Sequence, residues 1–267
     1  MAKSRRDPAL VLPLLALLVV VVVVVAVVET LPSQPPPPTA PMPSLDSSVV
    51  FYLSSGTITQ TPIATWNDSS WKGNNFSQTV LSLQPALASD GGVSITPSQH
   101  LTGPVVFPTQ ADYSVLAVVR LLGPGVTVLG SSAGWGHSLY FEGATLTVEH
   151  GGVGSGTVLS PSCAIVAPYD EMVSVAWVWH ESLGGGDYWV GSEFGGFATG
   201  VPILEGSTDV GSSAGQLPTT QSGGVIYELA LFASALNSSY LAQLNLEMLT
   251  RAQQETVRQL NELNHGR

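Results

Sequence analysis

A single cysteine, Cys163, leaves the chain without a partner for an internal disulfide. Either the fold needs no covalent staple or its compartment is not strongly oxidising. Basic residues are almost as scarce. Removing Lys3, Arg5, Arg6, Asp7 and Glu29, which precede the main domain, from 8 basic and 19 acidic residues leaves 5 against 17. A domain near −12 repels phosphate backbones and anionic lipid, which excludes nucleic acid as its target. Metal and nucleophile patterns are missing as well. The five histidines (His100, His137, His150, His180, His265) show neither two-histidine helical spacing nor Cys/His pairing, so no metal site is assigned. Two apparent nucleophile elbows, Gly130-Ser-Ser-Ala-Gly134 and Gly211-Ser-Ser-Ala-Gly215, fail on context. That motif needs a strand-turn-helix setting, whereas the first runs into a strand pattern and the second into Leu217-Pro218.

One long apolar run is present. Residues 9–28 carry no charge, and about 20 apolar residues at a helical rise of about 1.5 Å span a ~30 Å hydrocarbon core. A cleavable signal peptide is the alternative, but its apolar region is shorter, about 7–15 residues, and ends at a small-x-small site. Here the run exits into Val-Val-Glu-Thr-Leu-Pro. Lys3, Arg5 and Arg6 in residues 1–8 keep the N-terminus cytosolic by the positive-inside rule. The expected arrangement is a single-pass protein with the lipid bilayer as partner through residues 9–28 and everything beyond Glu29 extracellular, lumenal or on a virion membrane. Residues 29–44 are a proline-rich tether, since proline fixes φ and removes the amide donor, giving an extended polyproline II spacer.

Residues 45–249 read as one β domain rich in Gly, Ser, Thr and Val. Apolar runs at 49–53, 79–83, 114–121, 127–129, 138–141, 145–150, 172–180, 188–190 and 224–232 alternate with turn residues. Regular strand spacing without helical periods predicts an all-β sandwich or barrel. In 173–180 both alternating faces are largely apolar, which predicts a central strand covered on both sides. The stretch Glu181-Ser-Leu-Gly-Gly-Gly-Asp187 then reverses the chain into a hairpin.

A helix follows, capped by Asn237 or Ser238, with Tyr240, Leu241, Leu244, Met248 and Leu249 at helical spacing. Residues 250–267 form a helical tail on which Val257, Leu260 and Leu263 make a thin apolar stripe with no obvious intrachain surface to cover. A heptad reading puts Gln253 and Thr256 at core positions beside Leu246, Leu249, Leu260 and Leu263, so the coiled-coil signal is weak. The stripe is assigned as a partner-binding tail or a frayed end.

The segment Thr65-Trp-Asn-Asp-Ser-Ser-Trp-Lys-Gly-Asn-Asn-Phe76, then Gln84-Pro85 and Asp90-Gly-Gly-Val93, resembles the opening of concanavalin A-like (laminin-G-like) jelly-roll domains. Residues 113–120 are similar to that family's long core strand, 173–190 to its hairpin, and 224–236 to its closing strand and turn into a short helix. The resemblance implies a concanavalin A-like β-sandwich between the N-terminal membrane helix and the C-terminal helix. Fold does not settle activity, because this family includes lectins, glycan hydrolases, adhesion modules and virion appendages.

Hydrolases of this fold carry paired carboxylates in Glu-x-Asp-x-Glu or Glu-x-Asp-x-x-Glu runs, and no such run exists here. Asp170 and Glu171 are adjacent and would point to opposite faces of a strand. The chain is therefore read as no enzyme, with no catalytic residues. A lectin-type site stacks a sugar on an aromatic and bonds its hydroxyls with Asp, Asn or Gly amides, sometimes through calcium. Trp135 and His137 in Gly-Trp-Gly-His, with Asp187, are the ligand-binding candidates; Glu193 and Asp209 lie in other Gly-rich stretches. No cofactor is assigned, and calcium has no assignable ligands. Asn67, Asn75 and Asn237 open acceptor sequons for glycosylation, although Asn237 also suits the helix cap. Two functions follow. The first is a structural component of a surface or viral particle that meets protein assembly partners; the alternative is a lectin-like module that binds a glycan or surface receptor.

Overall fold

The structure, a computed structural model, describes residues 43, 45–104, 111–131, 137–150, 158–159, 166–199, 208–211 and 223–265. The expected anchor at 9–28, most of the tether, Trp135 and Cys163 lie outside the described residues. Among the described residues no helix is long and apolar enough to cross a membrane. In chain order the strands are β1 (Val49–Ser54), β2 (Thr65–Trp66), β3 (Phe76–Ser77), β4 (Ala86–Leu87), β5 (Val93–Ile95), β6 (His100–Gly103), β7 (Tyr113–Leu121) and β8 (Val126–Ser131). Then come β9 (His137–Glu142), β10 (Thr145–His150), β11 (Val158–Leu159), β12 (Met172–His180), β13 (Gly185–Val190), β14 (Glu193–Thr199), β15 (Thr208–Gly211) and β16 (Gly224–Phe232). The α-helix α1 (Ser238–His265) closes the chain.

Two antiparallel sheets result. The first has the order β14-β13-β12-β7-β16-β5-β4, with β1 also on β16; the second has the order β11-β10-β9-β8-β15-β6-β3-β2. Strand alternation decides what each face buries. On β7, Val115, Ala117, Val119 and Leu121 enter the core between the sheets, joined from β12 by Val175, Trp177 and Trp179 and from the second sheet by Phe76, Leu101, Val128, Phe141 and Val210. Leu116 and Val118 of β7, with Ala176 and Val178 of β12, face the other way and meet Leu241, Leu244 and Met248 of α1. β12 is thus apolar on both faces because it is covered twice, once by the second sheet and once by the helix. Trp177 also donates its indole N–H to the Tyr113 hydroxyl at 3.0 Å inside the sandwich.

A bulge on β16 shifts its register against β7 between Ile226 and Glu228. Ile226 faces the sandwich core and Tyr227 the helix side. Glu228 also bonds toward the helix side, to Tyr52 and Ser54 of β1. Two neighbouring polar side chains therefore share one face, which strict alternation would forbid.

The structure departs from the strand pattern at 79–83. Leu83 N–H donates to the Val80 carbonyl and Gln84 N–H to the Leu81 carbonyl, so the segment closes a 3-10 turn with Leu81 exposed. Asn237 caps α1, its Oδ1 accepting the Tyr240 N–H at 3.0 Å. The helix then runs without a break through residue 250, where the sequence placed a separate tail. Ala252 and Glu255 are buried, Glu255 lies against Gly56, and Gln259 lies over Gly91. Small residues on the domain surface make this possible: a Cβ on Gly91 would sit 2.6 Å from the Gln259 side chain, and Gly91 has a φ of +89° besides. The Asp-Gly-Gly turn is thus a seat for the second half of the helix.

Candidate functional site

The outer face of the hairpin β12–β13 and its neighbour β14 extends past α1. On β13, Tyr188 and Val190 point into the sandwich, so Asp187 and Trp189 point outward. His180 shares that outer face, and its Nε2 lies 3.2 Å from Asp187 Oδ2. A second bulge shapes the edge: the register of β13 against β14 shifts between Tyr188 and Trp189, pairing Tyr188 with Gly196 and Trp189 with Phe194. Tyr188 packs where a Cβ of Gly195 would otherwise be, only 1.9 Å from its ring, and its hydroxyl donates to the Gly195 carbonyl. Gly196 takes a φ of +133°, which favours glycine. The consequence is that Phe194 is turned out to 57% exposure, with its ring 5.4 Å from that of Trp189.

An aromatic pair therefore sits two residues along β13 from a carboxylate-imidazole pair, about 6.6 Å away at the strand rise. Beside it, between β12–β13 and the first half of α1, lies a cavity of about 310 Å³ lined by Ser174, Trp189, Ser192, Leu241, Asn245 and Leu249 among others. Trp189 belongs to both the shelf and the cavity wall. Apolar area with a few placed hydroxyl, amide and carboxylate groups can bind an amphipathic neutral ligand such as a saccharide.

The buried charges lie elsewhere, under the second half of α1. Glu228 accepts from the Tyr52 hydroxyl and, at 3.0 Å, from Ser54 Oγ, and Arg251 Nε lies 3.4 Å from its Oε1. Burial pushes the Glu228 carboxyl up to about 7, against the lowering pull of Tyr52, Arg251 and Ser54. Arg258 holds Glu255 below its ordinary range. Asp90 accepts from the Tyr227 hydroxyl at 2.6 Å and pairs with Arg120. The Glu228–Arg251 pair fastens helix to sheet, the Glu255–Arg258 pair lies within the helix, and the Asp90 network ties the Asp-Gly-Gly turn to β7 and β16. Among the described residues no group of three or more His, Cys, Asp or Glu side chains could hold a metal ion.

The candidates read from the sequence scatter. Asp187 lies on the aromatic shelf. His137 lies on β9, in the sheet opposite to the one that carries Asp187. Glu193 is exposed at the start of β14 and Asp209 is buried on β15. Asn67 and Asn75 are exposed, and Asn75 Oδ1 accepts the Asp68 N–H at 2.8 Å. Asp68 in turn accepts from the amides of Tyr52, Ser70 and Asn74, so the Trp-x-Asp-x-Ser segment is a self-bonded loop that ties β1 to β2. Val257, Leu260 and Leu263 are 49%, 43% and 51% exposed. Phe194 and Asn245 escaped the sequence reading, and Trp189 entered it only as a residue of the hairpin run at 188–190. The signal that could have found Phe194 is its setting in Glu-Phe-Gly-Gly-Phe, an aromatic beside glycines that cannot bury it.

No family model and no curated protein matches the chain. Solved structures do match in fold. A botulinum neurotoxin type C chain, whose cell entry depends upon interaction with two ganglioside molecules, aligns with a TM-score of 0.54 at 13% identity, over 75% of this chain and 51% of that one. The binding domain of Paraclostridial Mosquitocidal Protein 1 aligns at 0.55 and 12%, over 74% and 51%. The binding domain of botulinum neurotoxin DC, in complex with SialylT, aligns at 0.53 and 11%, over 76% and 52%. At these identities the likeness is one of fold, a β-sandwich of two antiparallel sheets. The chain spans about half the length of each of these structures.

Proposed function

We propose that this domain is a non-enzymatic recognition module that binds a saccharide on the outer face of β12–β14, displayed from a membrane by the apolar run at 9–28. The observation that carries the reading is the Trp189–Phe194 ring pair beside Asp187 and His180 on a face that α1 leaves open. A sugar's apolar face needs an aromatic platform and its hydroxyls need charged or amide acceptors, and both stand here two residues apart on β13. The matched domains that meet a ganglioside or a sialylated ligand lend support from the fold side. A glycan array probed with the full-length chain in mild detergent tests it. Selective binding is expected, and Phe194→Ala, which removes an exposed ring and no core contact, should weaken the best ligand by about ten-fold. An array without selective binders, or a Phe194→Ala chain that binds as the parent does, overturns the reading.

The exposed stripe on α1 favours a second role, in an assembly. Val257, Leu260 and Leu263 recur on one side of the helix at about half exposure, so a protein partner could cover them. Replacing all three by Ser should then abolish incorporation into the assembly without lowering the melting temperature. Unchanged incorporation would leave the stripe a solvated helix face.

A further inference from the structure

The cavity behind Trp189 carries a more specific assignment. Its lining residues are all uncharged: Leu241, Leu249 and Trp189 supply apolar wall, and Ser174, Ser192 and Asn245 supply polar groups. Asn245 is only 7% exposed, and its Oδ1 has no hydrogen-bond partner. A buried amide oxygen without a partner is costly, and most such groups in folded proteins are satisfied. Here the amide lines an open space large enough to hold a substituent.

We propose that the cavity receives the acetamido group of an N-acetylated sugar whose ring lies on the Trp189–Phe194 shelf, an inference that rests on the saccharide reading above. Charge excludes the alternatives with an ionised group: a carboxylate, sulfate, phosphate or ammonium entering this space would lose its hydration and meet no counter-charge. A plain hydroxyl also fits poorly, because it would be set against leucines. An acetamido group presents a methyl to Leu241 and Leu249, while its C=O and N–H find the donor and acceptor that a carboxamide side chain offers together. Trp189 joins the two parts of the site, since one edge of it lines the cavity and its ring meets Phe194. Asn245 would then be a specificity residue, set by a helix that is rigidly docked on the sheet.

The test compares oligosaccharides of N-acetylglucosamine and N-acetylgalactosamine with their glucose and galactose counterparts by titration calorimetry, using the full-length chain in mild detergent. The acetylated sugar of at least one pair should bind about ten-fold or more tightly, close to what one well-placed polar contact supplies. Asn245→Leu, which keeps the branched heavy-atom skeleton and removes the amide, should bring that ratio to about one. Ala242→Leu, at the exposed mouth of the same cavity, should do likewise and covers the case in which the first variant fails to fold. Phe194→Ala should lower both members of a pair alike and keep the ratio. Equal binding of acetylated and plain sugars overturns the cavity assignment and leaves the recognition reading standing. An acetyl preference that survives both cavity variants also overturns it, and binding of no saccharide at all overturns both.

Discussion

Burial sets the pH response of this domain through Glu228. Its carboxyl is held at about 7 against an ordinary 4.5, so between those values the folded chain binds a proton that the unfolded chain has released. Stability from this group is therefore fully present below about 4.5 and is lost as pH rises through 7, a swing on the order of 3 kcal/mol. The groups that face it from the packed elements are Tyr52, Ser54, Arg251 and Glu255. Glu255, lowered by Arg258, acts in the opposite sense, its contribution being lost only as pH falls below the ordinary carboxylate range. The two windows do not overlap. Thermal melts should show a higher midpoint at pH 5.5 than at pH 7.5, and Glu228→Gln should flatten that difference; a wild-type midpoint that rises over the same interval would refute the assignment. Trp177 tests the sandwich core in the same way. It is 2% exposed and bonds Tyr113, so Trp177→Ala opens a cavity and removes that hydrogen bond, at a cost of about 3–5 kcal/mol. Denaturant unfolding should show that loss, and a change under 1 kcal/mol would place Trp177 outside the core.

Long strands announce themselves and short ones do not. β7, β12 and β16 each run nine residues of mostly β-branched and aromatic side chains, and their pattern is unmistakable in the chain. β2, β3 and β4 have two residues each, too few for a readable alternation, and they exist because neighbouring strands supply their hydrogen bonds. β14 hid for another reason: Phe-Gly-Gly-Phe reads as a loop until Tyr188 is seen to fill the space over Gly195. Of the site, Asp187 was legible and Trp189 was seen only as part of a hairpin. Asn245 looked like any polar helix position, because its burial depends on where α1 lies across the sheet. The same docking decides what the end of the helix does. Removing residues 251–267 would take Arg251 from Glu228 and uncover Tyr52, leaving a buried carboxylate without its cation. Breaking a buried pair on one side costs about 3–5 kcal/mol, so this truncation should lower the melting temperature sharply. Removing only 260–267, which takes Leu260 and Leu263 but keeps Arg251, Glu255 and Arg258, should change it little. Equal midpoints for the two truncations would return the second half of the helix to the status of a free tail.

Charge and tether act together on the whole chain. With 5 basic against 17 acidic residues beyond Glu29, the domain is repelled by anionic lipid, and the repulsion falls away within about a Debye length, ~8 Å at physiological salt. Residues 31–43 are rich in proline and read from the sequence as a spacer. The proposed function displays a recognition face on β12–β14 from a membrane. This arrangement requires that residues 9–28 remain in the mature protein as an uncleaved span, with Lys3, Arg5 and Arg6 on the cytosolic side. Intact-mass measurement of the chain isolated from membranes should then include residues 1–28, and alkaline carbonate should not extract it. Protease added to sealed vesicles should digest the acidic domain only from the side opposite to the basic N-terminus. A mature N-terminus near Glu29 or Thr30 would turn the run into a signal peptide and the tether into a free leader, and the domain would then have to reach its ligand by diffusion.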